Sequence, residues 1–286
     1  MPKGHHEGLG MAGETSWQTA AAVEKAEAPT FDTSVAHIAR VYNYWLGGKE
    51  NYAADRAAGD RTIAEFPGIV VSARANRAFL RRAVRFLVTE AGVQQFLDIG
   101  TGIPTSDNTH EVAQSLAPRS RVVYVDNDPV VLAHARALLT SAREGTTDYL
   151  DADLRQPGPI LDRAAQTLDF SRPVAIMLLA VLQLLSDDDE PYRVVARLMA
   201  AVPSGSFLVL SHPTSDVQQD RVTAMVARLN DLVAEKVTTR DRDQVERFFT
   251  GLEPVEPGLV NVSEWRPDDA PAEGPAALWV CVARKP

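Results

Sequence analysis

From Gln95 onward the chain alternates short apolar or β-branched runs with amphipathic stretches, and this alternation constrains the fold more than any other feature. The runs are QFLDIG, RVVYVD, TTDYLDAD, PVAIMLLAVL and GSFLVLSH. Between them lie Thr109 to Leu116, Pro129 to Ala142, Ile160 to Leu168 and Glu190 to Val202, where apolar residues recur at helical spacing. Strands that alternate with helices of this length make parallel βαβ units, so the expectation is a doubly wound α/β sheet with helices on both faces. Asp128 is placed to cap the second helix, with Pro129 at its first position. A longer helix is expected from Asp216 to Lys236 and a shorter one from Asp241 to Phe249. Two strand-like runs, Leu259 to Trp265 and Leu278 to Ala283, close the chain as a hairpin across a Pro/Asp/Glu loop, Pro267 to Pro275.

The residues before Gln95 follow a different pattern. Met1 to Thr30 carry no apolar period and read as a mobile tail, whose His5-His6 pair is too isolated to make a metal site. From residue 31 to 92 the chain reads as helical. Val35, Ile38, Tyr42, Trp45 and Leu46 form one stripe, capped by Asp32 or Ser34 and stopped by Gly47-Gly48. His37, Arg40, Asn43 and Tyr44 form a polar stripe opposite. Helices from Asp55 to Phe66 and Ser72 to Glu90 follow. Three helices are too few to bury their own stripes, so this segment is expected to close over the sheet domain, residues 93–286, as a lid.

With 29 Lys and Arg against 38 Asp and Glu, the chain lacks the positive field that attracts nucleic acid or anionic membranes. Its longest apolar run, Val174 to Leu185, falls well short of the roughly twenty residues that span a bilayer. No signal peptide is evident, and Cys281 stands alone, so a cytoplasmic protein without a disulfide framework or cysteine–zinc site is expected.

In an open α/β sheet, ligands bind beyond the carboxyl ends of the strands. The first strand ends in Asp98-Ile99-Gly100-Thr101-Gly102, where two glycines let the backbone turn sharply beside a ligand. The second ends at Asp126 and the third at Asp153. A carboxylate at Asp126 can accept hydrogen bonds from both hydroxyls of a ribose. One at Asp153 can accept from an exocyclic amine such as that of adenine, while the Leu154 N–H meets a ring nitrogen.

FLDIGTGIPT, VVYVDNDP and YLDADLRQP resemble motifs I, II and III of the Rossmann-like, class I S-adenosylmethionine methyltransferases. VYNYWLGGKENYAADR and VVYVDNDPVVLAHARALL further resemble one bacterial group of such enzymes, over about Phe31 to the C-terminus. The resemblance implies a mostly parallel seven-stranded sheet with an antiparallel last strand, and S-adenosyl-L-methionine as cofactor. It implies that Asp98 holds the methionine amino end and that Gly100, Thr101 and Gly102 wrap the cofactor. Asp126 would take the ribose, Asn127 would lie along the adenine, and Asp153 and Leu154 would bind its edge. Leu179 and Ala180 would line the path to the methyl group. The chain departs from the commonest motif I at its third glycine, where Pro104-Thr105 stand.

Methyl transfer needs alignment more than machinery. His212, after the fifth strand, is the candidate base, should the acceptor have to lose a proton. No metal site is expected; Asp187-Asp188-Asp189-Glu190 reads as acids favouring a helix dipole. Arg40, Asn43, Tyr44, Asn76 and Arg77 are the candidates for the acceptor pocket and lid, and the acceptor is expected to be a small molecule. Two other readings share the motifs: a nicotinamide-dependent oxidoreductase, and a protein that binds S-adenosylmethionine without catalysis. The missing third glycine and the absence of a Tyr-x-x-x-Lys pair in TAMVARLNDLV weigh against the oxidoreductase.

Overall fold

The computed structural model describes residues 32–138, 141–268 and 274–286. The tail through Thr30, with His5-His6, and the middle of the loop over Pro267 to Pro275 lie outside the described residues. Phe31–Pro286 form one compact unit. Its elements in chain order are α1 (Ile38–Trp45), α2 (Ala53–Glu65), α3 (Gly68–Thr89), β1 (Gln95–Ile99), α4 (Thr109–Leu116), β2 (Arg121–Asp126), α5 (Pro129–Leu138) and β3 (Thr146–Asp151). There follow α6 (Pro157–Ala164), β4 (Ala175–Leu179), α7 (Pro191–Ala200), β5 (Phe207–Pro213), α8 (Gln219–Asn230), α9 (Arg242–Glu246), β6 (Glu253–Pro254), β7 (Val260–Asn261) and β8 (Leu278–Arg284). No helix among the described residues is long and apolar enough to cross a membrane.

The strand order is β3-β2-β1-β4-β5-β8-β6, with β7 also paired to β8. β1 to β5 are parallel; β8 runs antiparallel to β5. Two short strands, β6 and β7, share the outer edge of β8, so the expected seven positions hold eight strands. The hairpin between the last two runs is present as the β7–β8 pairing.

Side chains alternate across the sheet with the period of a strand. Phe96, Val122, Tyr124, Ala175, Met177 and Val209 pack under Phe79, Ala83 and Leu87 of α3. Leu97, Val123, Ile176, Leu178 and Leu208 face the other way, onto α6 and α7. The stripe of α3 thus belongs to the sheet's own core, whereas α1, α2 and the end of α8 form a separate apolar cluster around Val41, Trp45, Ala58 and Leu229.

Several helices differ from expectation at their ends, among them α3, which starts at Gly68, and α6, which spans Pro157–Ala164; for two others the cause is visible. α1 begins at Ile38, because Asp32 closes a turn on Ser34 and Ala36 pairs with Val233 in a short parallel bridge. That leaves Val35 exposed and makes His37 the N-cap. α8 ends at Asn230, whose side chain bonds both the N–H and the C=O of Val237 and turns the chain away.

Candidate cofactor and acceptor site

A cavity of about 190 Å³ opens beyond the carboxyl ends of β1, β2 and β4. Gly100 N donates to Val125 O at 2.8 Å, so the loop after β1 leaves the sheet where β2 ends. Gly100 and Gly102 have φ of +75° and +62°, a region that penalises any side chain. A Cβ on Gly100 would lie 2.2 Å from Val181 Cγ2; one on Gly102 would meet nothing within 4 Å. The first glycine therefore allows close packing, and the second leaves open space above the loop.

Two backbone N–H groups fix the Asp126 carboxylate: Gly102 N on Oδ2 and Asp128 N on Oδ1, both at 2.9 Å. Burial raises its pKa, and these two bonds oppose the rise. Asp98 is buried and accepts the Thr109 hydroxyl at 2.6 Å. Burial pushes its pKa up to about 6, against the lowering effect of that hydroxyl and of the Arg77 charge. Asp153 lies two residues past β3, where its Oδ1 accepts Arg155 N; the Arg155 guanidinium reaches on to Asp189 and Leu184 O. Thr101, Asn127, Leu154, Leu179 and Ala180 line the same cavity as these carboxylates and glycines. All ten strand-end positions singled out in the sequence therefore meet at one place.

The opposite end of the cavity is apolar. Ile38, Tyr42 and Trp45 of α1 face it, with Ile69 from α3 and Met225 and Leu229 from α8. At its rim His37 Nδ1 lies 2.9 Å from Asp128 Oδ2 and 3.4 Å from Ala39 N. The shorter contact requires the proton on Nδ1, and that proton gives Asp128 Oδ2 the partner it otherwise lacks. Burial opposes protonation of His37, but Asp128 and Glu235 outweigh it and raise the pKa.

A family model described as S-adenosyl methyltransferase matches residues 24–286. The chain belongs to the S-adenosyl methyltransferase family. It is similar to a solved DUF574 family protein from Streptomyces avermitilis, with 47% identity, a TM-score of 0.86, and coverage of 89% of this chain and 99% of that one. It is also similar to a candidate methyltransferase from Thermobifida fusca, with 41% identity, a TM-score of 0.81, and coverage of 89% and 96%. No curated protein matches. The protein is a methyltransferase that uses S-adenosylmethionine.

The polar end of this methyltransferase's cavity fits that cofactor. Asp126 offers an oriented carboxylate of the kind a ribose diol requires, Asp98 a buried carboxyl that would have to be ionised to face an ammonium group, and a Cβ on Gly102 would meet nothing within 4 Å.

The acceptor and lid candidates divide. Asn76 and Arg77 line the cavity. Asn76 Nδ2 donates to Tyr42 OH and its Oδ1 accepts Ser211 Oγ, while Arg77 donates to the carbonyls of Ser106 and Asp107. Arg40, Asn43 and Tyr44 do not line it. α1 turns its apolar stripe, not its polar one, to the cavity, and α2 covers the polar stripe. Arg40 pairs with the buried Asp55, Asn43 Oδ1 accepts Glu50 N and Asn51 Nδ2, and Tyr44 OH donates to Asp60.

His212 is also misplaced for a base. The alternation of β5 sends Ser211 toward α3 and His212 to the other face, against Phe248. Its Nε2 accepts from Arg240, and burial lowers its pKa to about 3. The acidic run is structural: Asp187 pairs with Arg240 and Asp189 with Arg155.

His37, Arg155, Gln183 and Glu235 line the cavity without having been singled out as site residues in the sequence. Arg155 follows Asp153 closely enough to have been suspected. Glu235 gave no signal, because it lies in a stretch expected to be helix.

Proposed function

We propose that this methyltransferase transfers its methyl group to a small-molecule acceptor held between α1, α3 and α8. The observation that carries the proposal is that the oriented Asp126 carboxylate and the apolar end share one cavity. In this reading Asp126 binds the ribose hydroxyls, Asp98 the methionine ammonium, and Asn127, Asp153 and Leu154 the adenine, with Gly100, Thr101 and Gly102 lying along the cofactor. Leu179 and Ala180 border the path between the two ends. The bound cofactor supplies an activated methyl group, which an in-line acceptor displaces directly. The protein's contribution is alignment and exclusion of water. Leu179 is nearly buried, and Tyr42 and Trp45 close the far side. α1 and α2, joined by α8, act as the lid proposed for the N-terminal residues. The His37–Asp128 contact clasps that lid to the start of α5.

The test uses cofactor labelled in its methyl group and a small-molecule extract. The expected result is label in a low-mass product, formed only with active protein. Cofactor binding without label in any small molecule would replace this reading with a binding protein or a macromolecular acceptor.

A further inference from the structure

The apolar end of the cavity has polar atoms in its wall, but the protein has already engaged them. Tyr42 OH donates to Ala73 O at 3.1 Å and accepts from Asn76 Nδ2 at 3.0 Å. Asn76 Oδ1 accepts Ser211 Oγ at 2.7 Å, which fixes the amide. Trp45 Nε1 donates to Thr62 Oγ1 at 3.2 Å. Ser72 Oγ donates to Gly68 O and accepts Ala277 N. The charged groups at the rim, His37 and Glu235, face each other at 3.7 Å. A ligand entering here therefore meets carbon.

The exception lies where the two ends join. Gln183 Nε2 donates to Ala180 O at 2.6 Å, which fixes the amide orientation, and Gln183 Oε1 is buried with no hydrogen-bond partner among the described residues.

A charged group placed among Ile38, Tyr42, Trp45, Ile69, Met225 and Leu229 would lose its water and find no counter-ion among them, since Glu235 at the rim already faces His37. We propose that the acceptor is a neutral molecule with an apolar body, its polar atoms confined to the end that meets Leu179, Ala180 and Gln183. This rests on the reading of the cavity's other end as the cofactor site.

The test uses the full chain saturated with S-adenosylhomocysteine, whose own binding is first measured by calorimetry. N-phenyl-1-naphthylamine serves as neutral probe. Its sulfonate, 8-anilinonaphthalene-1-sulfonate, and the cationic 1-naphthylmethylamine serve as charged probes. The expected result is one neutral probe per chain, bound at least tenfold more tightly than either charged one. Met225→Lys in α8 and Ile69→Glu in α3 should each weaken the neutral probe at least tenfold while S-adenosylhomocysteine affinity stays within threefold. If one variant fails to fold, the other carries the measurement, and the comparison of probes on the unaltered chain depends on neither. Charged probes binding as tightly as the neutral one, or both substitutions without effect, would overturn the proposal while leaving the cofactor reading intact. Failure of S-adenosylhomocysteine to bind would overturn both.

Discussion

The polar and apolar ends of the cavity come from different kinds of sequence. Each group at the polar end lies within a few residues of a strand end: Asp98 in β1, Asp126 closing β2, Asp153 just past β3. The apolar end is assembled from α1, α3 and α8, which come from opposite ends of the chain. The carboxylates of Asp126 and Asp153 each accept a backbone N–H two residues further on, so a short stretch of sequence suffices to place them. An apolar wall needs the whole tertiary arrangement before it exists. The two ends should therefore fail differently when mutated.

The largest effect is expected away from either end, in the support beneath α1. Arg40 and Asp55 are both buried, and Asp55 also accepts the N–H groups of His37 and Tyr52. Removing one member of a buried pair leaves the other uncompensated, so Arg40→Ala should cost about 3–5 kcal/mol of stability. Chemical denaturation measures this. A loss near zero would mean that the pair does not support the lid.

Asp126→Ala should weaken S-adenosylmethionine binding by about 1.5–3 kcal/mol, through lost charge-assisted hydrogen bonds, with binding of the neutral probe retained. Calorimetry on a variant whose circular dichroism is unchanged decides it. Unchanged affinity would detach the polar end from the cofactor. Asn43→Ala should cost about 1–3 kcal/mol of stability, because Glu50 N and Asn51 Nδ2 lose their shared acceptor. Cofactor affinity should stay within a few-fold. A melting curve that does not move, with turnover abolished, would return Asn43 to the acceptor site.

The smallest effect is one of pH. Asp98, at about 6 in the free protein, must be ionised to pair with an ammonium group, so cofactor binding pulls its pKa down. Affinity is then full well above pH 6 and declines as pH falls through it, by about fourfold between pH 7.5 and 5.5. His37 also titrates on its own account, facing Asp128, Glu235 and Arg40. Asp98→Asn separates the two: the pH dependence assigned to Asp98 should vanish in that variant. A slope that persists there belongs to the clasp instead.

The parallel sheet was legible from the alternation and the closing hairpin from the terminal pair of runs, whereas the antiparallel last strand came with the family resemblance. So was the gathering of the strand-end residues. The orientation of α1 was not, because a polar stripe can face a ligand, water or another helix. Here Asp55, Glu50 and Asn51, a few residues further along, supply partners for Arg40 and Asn43. Gly48 hints at this. A Cβ there would lie 2.3 Å from Asn43 Nδ2, so the glycine marks the Asn43 side chain as packed against its own loop. His212 misled for a simpler reason: being near the end of a strand does not set which face a side chain takes. One residue of register separates Ser211, bonded toward the cavity's Asn76, from His212, accepting from Arg240.

The most direct test of a cavity divided between cofactor and apolar acceptor is a crystal structure of the full chain with S-adenosylhomocysteine. The ribose hydroxyls are expected within hydrogen-bond distance of Asp126, and the amino group beside Asp98. The sulfur should face past Leu179 and Ala180 toward Tyr42, Trp45 and Met225. Adenosine found instead among Trp45, Met225 and Leu229, or a ligand bound away from Asp126, would contradict the account.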